Sequence, residues 1–86
     1  MTTPTPENTG VVTATGAWQP VAGEGDVTVT CPIKFEWAIG TDTPDDAVFG
    51  HKEFTVNLLL TGSQKLYMRA SAGMQLAVSA VQPLTA

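Results

Sequence analysis

The side chains that could carry out acid–base or nucleophilic chemistry are few in this sequence. His51 is the single histidine, and a serine hydrolase would need it beside Ser63, Ser71 or Ser79. Ser63 and Ser71 fall in predicted turns, and no nucleophile-elbow pattern surrounds either of them. We therefore interpret His51 as a turn histidine. We predict no catalytic residue and no enzyme activity.

Metal-ligating side chains are equally few. A zinc site needs three or four nitrogen or sulfur ligands, and the chain offers one histidine, His51, and one cysteine, Cys31. Three copies of His51 on the axis of a trimer are the alternative. Asp42, Asp45 and Asp46 could supply oxygen ligands to Ca²⁺, but the turn glycine and the closing glutamate of a calcium loop are missing. We expect a solvated loop that begins a turn, with no metal and no cofactor.

Three aromatic residues could form a platform on which a sugar ring stacks. Trp37 alternates in phase with Phe35 and is expected in the core. Trp18 precedes Pro20 on a weak strand, and Tyr67 lies opposite in phase to its apolar neighbours. Trp18 and Tyr67 are therefore open to three interpretations: packing within the chain, a subunit interface, or contact with a glycan.

Composition excludes several classes of function. The 86 residues carry a net charge of −4, which argues against binding to nucleic acid and to an anionic membrane surface. Charged residues make up 14% of the chain against about 25% in an average soluble domain. Such a weakly charged surface is typical of proteins that pack against copies of themselves.

The apolar residues recur with a period of two, which is the period of a β-strand. Five strong alternating runs and two weaker ones near the N-terminus predict six to eight short antiparallel strands. We therefore predict an all-β fold, a jelly-roll-like β-sandwich. The strong runs span residues 27–31, 33–39, 54–60, 65–70 and 74–80, and the weaker runs span residues 11–14 and 17–21.

Turn-forming residues separate these runs. Thr61–Gln64 and Ser71–Gly73 have the composition of tight hairpin turns. Pro32 predicts a bulge, a corner or a break into two strands, and Pro20 places its run at a sheet edge or a strand end. The longest connection, 40–46, could hold one short helical turn.

The domain organisation follows from this pattern. Residues 1–9 are rich in Thr and Pro and predict an extended arm, and residues 10–86 predict a single β-sandwich domain. The lone Cys31 allows no internal disulfide and is expected to be buried beside Val27 and Val29. With no signal-peptide pattern and no long apolar run, we expect synthesis in a reducing cytoplasm.

The order of these segments resembles the small β-sandwich proteins of tailed-bacteriophage virions, including head decoration (cement) proteins and head-fibre or spike-base modules. The similarity covers most of the chain after Trp18, and the hairpin-like segment 60–70 is its clearest part. The resemblance implies a homo-oligomer, often a trimer, bound to capsid or tail proteins in the virion, with no enzyme activity. The segments that carry it are Trp18, 25–29, 33–38, 44–47, Gly50–His51, 60–70 and the strand through Val78.

The sequence therefore predicts a non-enzymatic virion structural protein that assembles through outward-facing side chains. Its partners would be its own copies and the major capsid protein or other virion proteins. The alternative is a carbohydrate-binding module of a phage fibre or an extracellular assembly. It would use Trp18 or Tyr67 for stacking, with hydrogen-bonding partners from Asp42, Asp45 and Asp46. Leu59, Tyr67, Ala77 and Val81 fall on the predicted outward faces. The predicted interface residues are Thr2, Thr3, Pro4, Thr5, Pro6 and the rest of the arm to Thr9, with Trp18, Leu59, Tyr67 and Arg69.

Arg69 and Lys65 lie on one face of the same predicted strand. Arg69 is expected to pair with Asp26 or Glu36 on a neighbouring strand or a neighbouring subunit. An exposed pair of this kind contributes less than about 1 kcal/mol.

Overall fold

The fold was examined in a computed structural model, which describes residues 9–82 and Leu84. Six antiparallel strands form one curled open sheet, and the described residues contain no helix. The prediction of an all-β fold is confirmed. The strands are β1 (Thr9–Thr13), β2 (Gln19–Ala22), β3 (Gly25–Gly40), β4 (His51–Leu60), β5 (Lys65–Arg69) and β6 (Gln75–Ala80).

Strand β3 organises the sheet because it is long enough to pair with three other strands. The strand order is β1-β6-β3-β5-β2, and β4 pairs with β3 outside this path. Residues 27–30 of β3 pair with β6, whereas residues 36–40 pair with β5. Strand β4 pairs with both halves of β3, along residues 25–30 and residues 35–37. The two halves of the sheet therefore curl around a common core.

The curl is centred on an irregular stretch in the middle of β3. Thr30 pairs with Thr55 and Phe35 pairs with Glu53, so residues 31–34 of β3 lie opposite Phe54 alone. Pro32 lies in this stretch and has no N–H to donate to the ladder. Extra residues in one strand bend it and increase its twist. The predicted bulge at Pro32 is therefore confirmed, within one continuous strand.

The bulge also changes which side chains face the core. Cys31 and Phe35 are both buried, as predicted, but Ile33 between them is exposed. Ile39 is exposed as well, and Trp37 is half-buried against the core. The prediction that Ile33 and Ile39 share a buried face with Phe35 was wrong. Strict alternation does not survive the inserted residues at Ile33, whereas Ile39 lies past Trp37, where the pairing of β3 with β4 ends.

The core between the two halves of the sheet is built from apolar side chains, and Gln19 and Asp26 are the polar residues buried with them. Its members come from Ala14 and from strands β2 to β6, which is why no single hairpin could form it alone. The largest fully buried side chains are Phe35, Leu60, Leu66, Met68, Leu76, Val21, Val27 and Val29.

The two predicted turns exist, but the strands that they join are not hairpins. Gly62 and Gly73 take positive φ angles of 64° and 89° in these turns. Strands β4 and β5 lie on either side of β3, and β5 and β6 pair with different halves of it. The hairpin in the structure is β3–β4. It is closed by the long connection 41–50, to which no hairpin was assigned.

Backbone hydrogen bonds also tie the segment after β6 to the rest of the sheet. The Gly23 N–H donates to the Gln82 carbonyl oxygen at 2.8 Å, and the Leu84 N–H donates to the Val21 carbonyl oxygen at 3.0 Å. These bonds cover part of the outer edge of β2, the last strand in the order. The prediction that the strand containing Pro20 lies at a sheet edge is confirmed.

Candidate assembly surface

Residues 41–50, which we call the clamp loop, are bonded to the outer face of the sheet by two side chains, Arg69 and Glu36. Arg69, at the end of β5, donates to the Asp46 carbonyl oxygen at 2.9 Å and to the Val48 carbonyl oxygen at 3.1 Å. A guanidinium group carries five N–H donors in a rigid fork, so it can bond several acceptors at once. Arg69 therefore fixes the position of the clamp loop.

Arg69 is in turn held by Glu36 and Trp18. The Glu36 carboxylate accepts a hydrogen bond from Arg69 Nη2 at 2.9 Å, and each side chain is 20% exposed. The guanidinium carbon lies 4.5 Å from the centroid of the Trp18 ring, which is a cation–π distance. Of the two carboxylates that the sequence left open as partners of Arg69, the structure selects Glu36.

Strand register explains why these groups meet. Glu36 on β3 pairs with Arg69 on β5 and with Lys52 on β4. A row of positive, negative and positive side chains therefore crosses three neighbouring strands on the outer face. Directly opposed charges of opposite sign stabilise an antiparallel sheet.

Gly50 closes the clamp loop where no larger residue fits. A Cβ atom at this position would lie 2.7 Å from Trp18 Cη2, 2.9 Å from the Trp37 carbonyl oxygen and 3.1 Å from Glu36 Cβ. The Gly50 N–H also donates to Glu36 Oε2 at 3.1 Å. The close approach of this glycine is what allows the loop to lie flat on Trp18 and the β3 backbone.

The clamp loop holds its own conformation as well. Asp45 Oδ1 accepts a hydrogen bond from the Ala47 N–H at 3.0 Å, and the Val48 N–H donates to the Asp45 carbonyl oxygen at 3.0 Å. An aspartate that bonds the backbone two residues later is a common way to begin a turn. The predicted turn at the acidic cluster is confirmed, as a single turn and not a helix.

The fixed loop presents a nearly uncovered aromatic side chain. Phe49 lies between the Arg69-bonded Val48 and the tightly packed Gly50, yet its side chain is 95% exposed. Large apolar side chains that a rigid backbone presents to solvent lose little conformational entropy on binding. Phe49 therefore has the properties of an anchor for a protein interface.

Strand β4 has an unpaired edge and exposed apolar side chains of its own. Among the described residues, β4 pairs only with β3, so its other edge has free backbone donors and acceptors. Phe54 and Leu59 on β4 are each 50% exposed, and Ile33 beside the bulge is also exposed. An exposed edge with apolar side chains is a template for pairing with another chain.

The predicted interface residues fall into three groups. Leu59 is exposed on β4, as expected. Trp18 and Tyr67 are 6% and 3% exposed, so the expectation that Tyr67 faces outward was wrong. Arg69 bonds the clamp loop of its own chain. The remaining predicted interface residues, Thr2, Thr3, Pro4, Thr5 and Pro6, lie outside the described residues.

The hydrogen bond from Arg69 holds the pKa of the Glu36 carboxyl below its ordinary value of 4.5, despite opposing desolvation. The Gly50 N–H and the charges of Arg69 and Lys52 act in the same direction. Because the folded pKa is below the unfolded one, Glu36 stabilises the fold fully above 4.5. It loses this contribution as the pH falls through the folded pKa.

Glu36→Gln tests this linkage. The free energy of unfolding of the wild type should fall more steeply than that of the variant as the pH is lowered below 4.5. Urea unfolding followed by tryptophan fluorescence over a pH series gives both slopes. Parallel slopes for the two proteins would contradict the assignment of Glu36 as the titrating partner of Arg69.

The residues considered for chemistry lie on different elements of the fold. His51 stacks on Trp37 with ring centroids 4.6 Å apart, and Cys31 is buried in the core. Ser63 and Ser71 lie in the two turns. Over the described part of the chain, no three His, Cys, Asp or Glu side chains are grouped as metal ligands would be.

Sequence reasoning did not identify Phe49 or Gly50 as interface residues. The signal was a phenylalanine and a glycine at the end of a polar loop, outside any alternating run. An apolar residue without strand partners in a loop either returns to the core or stays exposed, and the sequence alone does not distinguish the two. In the structure, the hydrogen bonds from Arg69 to the backbone of Asp46 and Val48 hold the loop in a conformation that leaves Phe49 exposed.

Comparison with known proteins gives no relative for this chain: no protein family, curated protein or solved structure matches it. The part of the chain that the structure describes has no helix of the length and apolarity needed to cross a membrane.

Proposed function

We propose that this chain is a non-enzymatic structural protein that assembles with copies of itself through the clamp loop and the β4 edge. The observation that carries the proposal is Phe49, 95% exposed on a loop that hydrogen bonds hold in place. A solvent-exposed phenylalanine gains free energy when a partner buries it, at roughly 25 cal/mol per Å² of apolar surface.

In this proposal, assembly buries other exposed apolar side chains together with the clamp loop. Phe54 and Leu59, on opposite faces of β4, and Ile33 in the bulge of β3 are further exposed apolar side chains. Contacts made only in the assembled state stabilise that state by mass action, which is how a structural protein strengthens a shell.

The resemblance of the sequence to small virion proteins of tailed bacteriophages supplies the setting for this proposal. We propose that the protein decorates or stabilises the capsid, or serves as a fibre or spike base, as a homo-oligomer with a trimer favoured. Its other partners would be the major capsid protein or neighbouring virion proteins. In this proposal the curled sheet acts as a compact, jelly-roll-like sandwich unit. The protein is made in the cytoplasm of the host bacterium and is located in the virion.

The carbohydrate-binding alternative required an exposed ring at Trp18 or Tyr67. Both rings are buried, Trp18 under the clamp loop and against Arg69. A sugar stacks on an open aromatic face. No observation on the described residues favours this alternative, and the structural role stands alone as the proposal.

Phe49→Ser tests the proposal directly. We expect self-association to weaken about 30-fold or more, because interface anchors contribute at least about 2 kcal/mol. The thermal stability of the dilute monomer should be unchanged, since the side chain is 95% exposed and contacts little of its own chain. Sedimentation velocity over a concentration series measures the association.

Val11→Ser is the matched control, since Val11 is an exposed apolar residue on β1, away from the clamp loop. It should associate as the wild type does. Equal association of the wild type and Phe49→Ser would contradict the role of the clamp loop.

A further inference from the structure

A pocket on the outer face collects most of the positive charge of the molecule. It has a volume of about 490 Å³ and is open to solvent. Lys34, Lys52 and Arg69 line it, and the whole sequence has only 4 Lys and Arg residues. The fourth, Lys65, lies at the other end of β5. In a chain of net charge −4, this pocket is a local site of opposite charge.

Two of the three cations remain available for a ligand. Arg69 is paired with Glu36, and the Glu36 oxygen that it bonds also accepts the Gly50 N–H. Within the described residues, neither Lys34 nor Lys52 has a carboxylate within ion-pair distance. Lys34 Nζ lies 5.9 Å above the ring of Phe54. Lys52 faces Glu36, which also lines the pocket, but among the described residues it forms no ion pair, so the pocket offers two ammonium groups that no salt bridge holds.

The acidic part of the clamp loop lies next to this pocket. Arg69 lines the pocket and donates to the Asp46 carbonyl oxygen, so the two features share one side chain. Asp42, Asp45 and Asp46 are exposed. One face of the protein therefore carries a negative loop, the exposed Phe49 and a positive pocket side by side. A face that carries both signs can be complementary to a second copy of itself across a twofold axis, which pairs two copies. A trimer would close through a different contact, such as the β4 edge.

We infer that the pocket receives the acidic clamp loop of a second copy, with Asp42 and Asp46 of that copy reaching Lys34 and Lys52. This inference rests on the proposed self-assembly and names the contact that makes it specific. Copies that each carry a charge of −4 repel one another unless their contact brings opposite charges together. The same docking brings Phe49 of the second copy to the rim of the pocket.

Charge reversal tests the inference in two variants, Lys34→Glu with Lys52→Glu and Asp42→Lys with Asp46→Lys. Asp45 is left unchanged because its side chain holds the turn. Each double variant alone is expected to lose about 100-fold in self-association at low salt, since like charges then face each other. An equimolar mixture of the two should recover association between unlike copies, detected by sedimentation velocity with one variant labelled.

The outcomes separate this inference from the proposed function. Wild-type association that survives both reversals but not Phe49→Ser would overturn the inference and leave the assembly role. A failure of the mixture to recover association would also overturn it. Saturable binding of inorganic phosphate in the pocket with no effect on association would identify a small-anion site instead. A wild type that stays monomeric would overturn both. A cooperative thermal transition of each variant, measured on dilute and dissociated protein, confirms that the variants fold.

Discussion

Gly50→Ala is expected to destabilise the fold by about 2–3 kcal/mol, a typical cost of forcing an atom into a filled space. The added methyl would lie 2.7 Å from Trp18 and 2.9 Å from the Trp37 carbonyl oxygen. The tryptophan is buried, and the carbonyl belongs to the central strand β3, so neither moves without disturbing its neighbours. The melting temperature of so small a domain should fall by about 10–20 °C.

Gly10→Ala is the matched control for this variant. Gly10 lies in β1, has no atom within 4 Å of the position of an added Cβ, and does not take a positive φ. Its variant should be as stable as the wild type or slightly more so, because alanine restricts the unfolded chain. Differential scanning calorimetry of the three proteins gives the comparison. A Gly50→Ala melting temperature within a few degrees of the wild type would show that the clamp loop is not packed as described.

Arg69→Ala is expected to have an effect of similar size, about 2–3 kcal/mol. The substitution removes two hydrogen bonds to the clamp loop, the bond to Glu36 and the cation–π contact with Trp18. Hydrogen bonds that involve a charged group contribute about 1.5–3 kcal/mol when partly buried, and losses within one network are not additive. The clamp loop should also detach, so that self-association weakens together with stability.

Lys65→Ala is the control for Arg69→Ala, since it removes an exposed cation from the same strand and should change stability by less than about 0.5 kcal/mol. Arg69→Lys keeps the charge but lacks the planar fork, and it should recover only part of the loss. Urea unfolding measures all three. Full recovery by lysine would mean that charge alone holds the clamp loop, contrary to the hydrogen-bond account.

The fold class could be predicted from the sequence because most of the core follows strict alternation. Val27, Val29 and Cys31 are buried as their spacing requires, and so are Leu76 and Val78. Alternation reports the local period of the backbone, so it holds wherever a strand is regular. It does not report which strand lies beside which. The turns after β4 and β5 were therefore predicted correctly in position and wrongly as hairpins.

The bulge in β3 is a second feature that the sequence predicts only in part. Pro32 predicted an irregularity, but the number of residues inserted depends on the partner strand, where Phe54 alone lies opposite four residues. This count decides that Ile33 is exposed and Phe35 is buried. The alternation within one strand carries no information about its partner strand, so it placed Ile33 and Phe35 on the same face.

The candidate surface was the least predictable part. Glu36, Lys52 and Arg69 are far apart in the chain and meet only because β3 lies between β4 and β5. Tyr67 was expected outside because β5 was treated as a strand with one wet face, whereas three successive β5 side chains are buried. Leu59 was placed correctly, because β4 lies at the side of β3 away from β5 and β6 and keeps one face exposed.

The native mass of the wild-type protein tests the central claim most directly. Multi-angle light scattering on a sizing column, over a wide range of loading concentrations, gives this mass independently of shape. We expect an oligomer whose mass is a discrete multiple of 9.0 kDa at high concentration and which dissociates on dilution. A mass of 9.0 kDa at every concentration would contradict the claim that the clamp loop and the β4 edge form an assembly surface between copies.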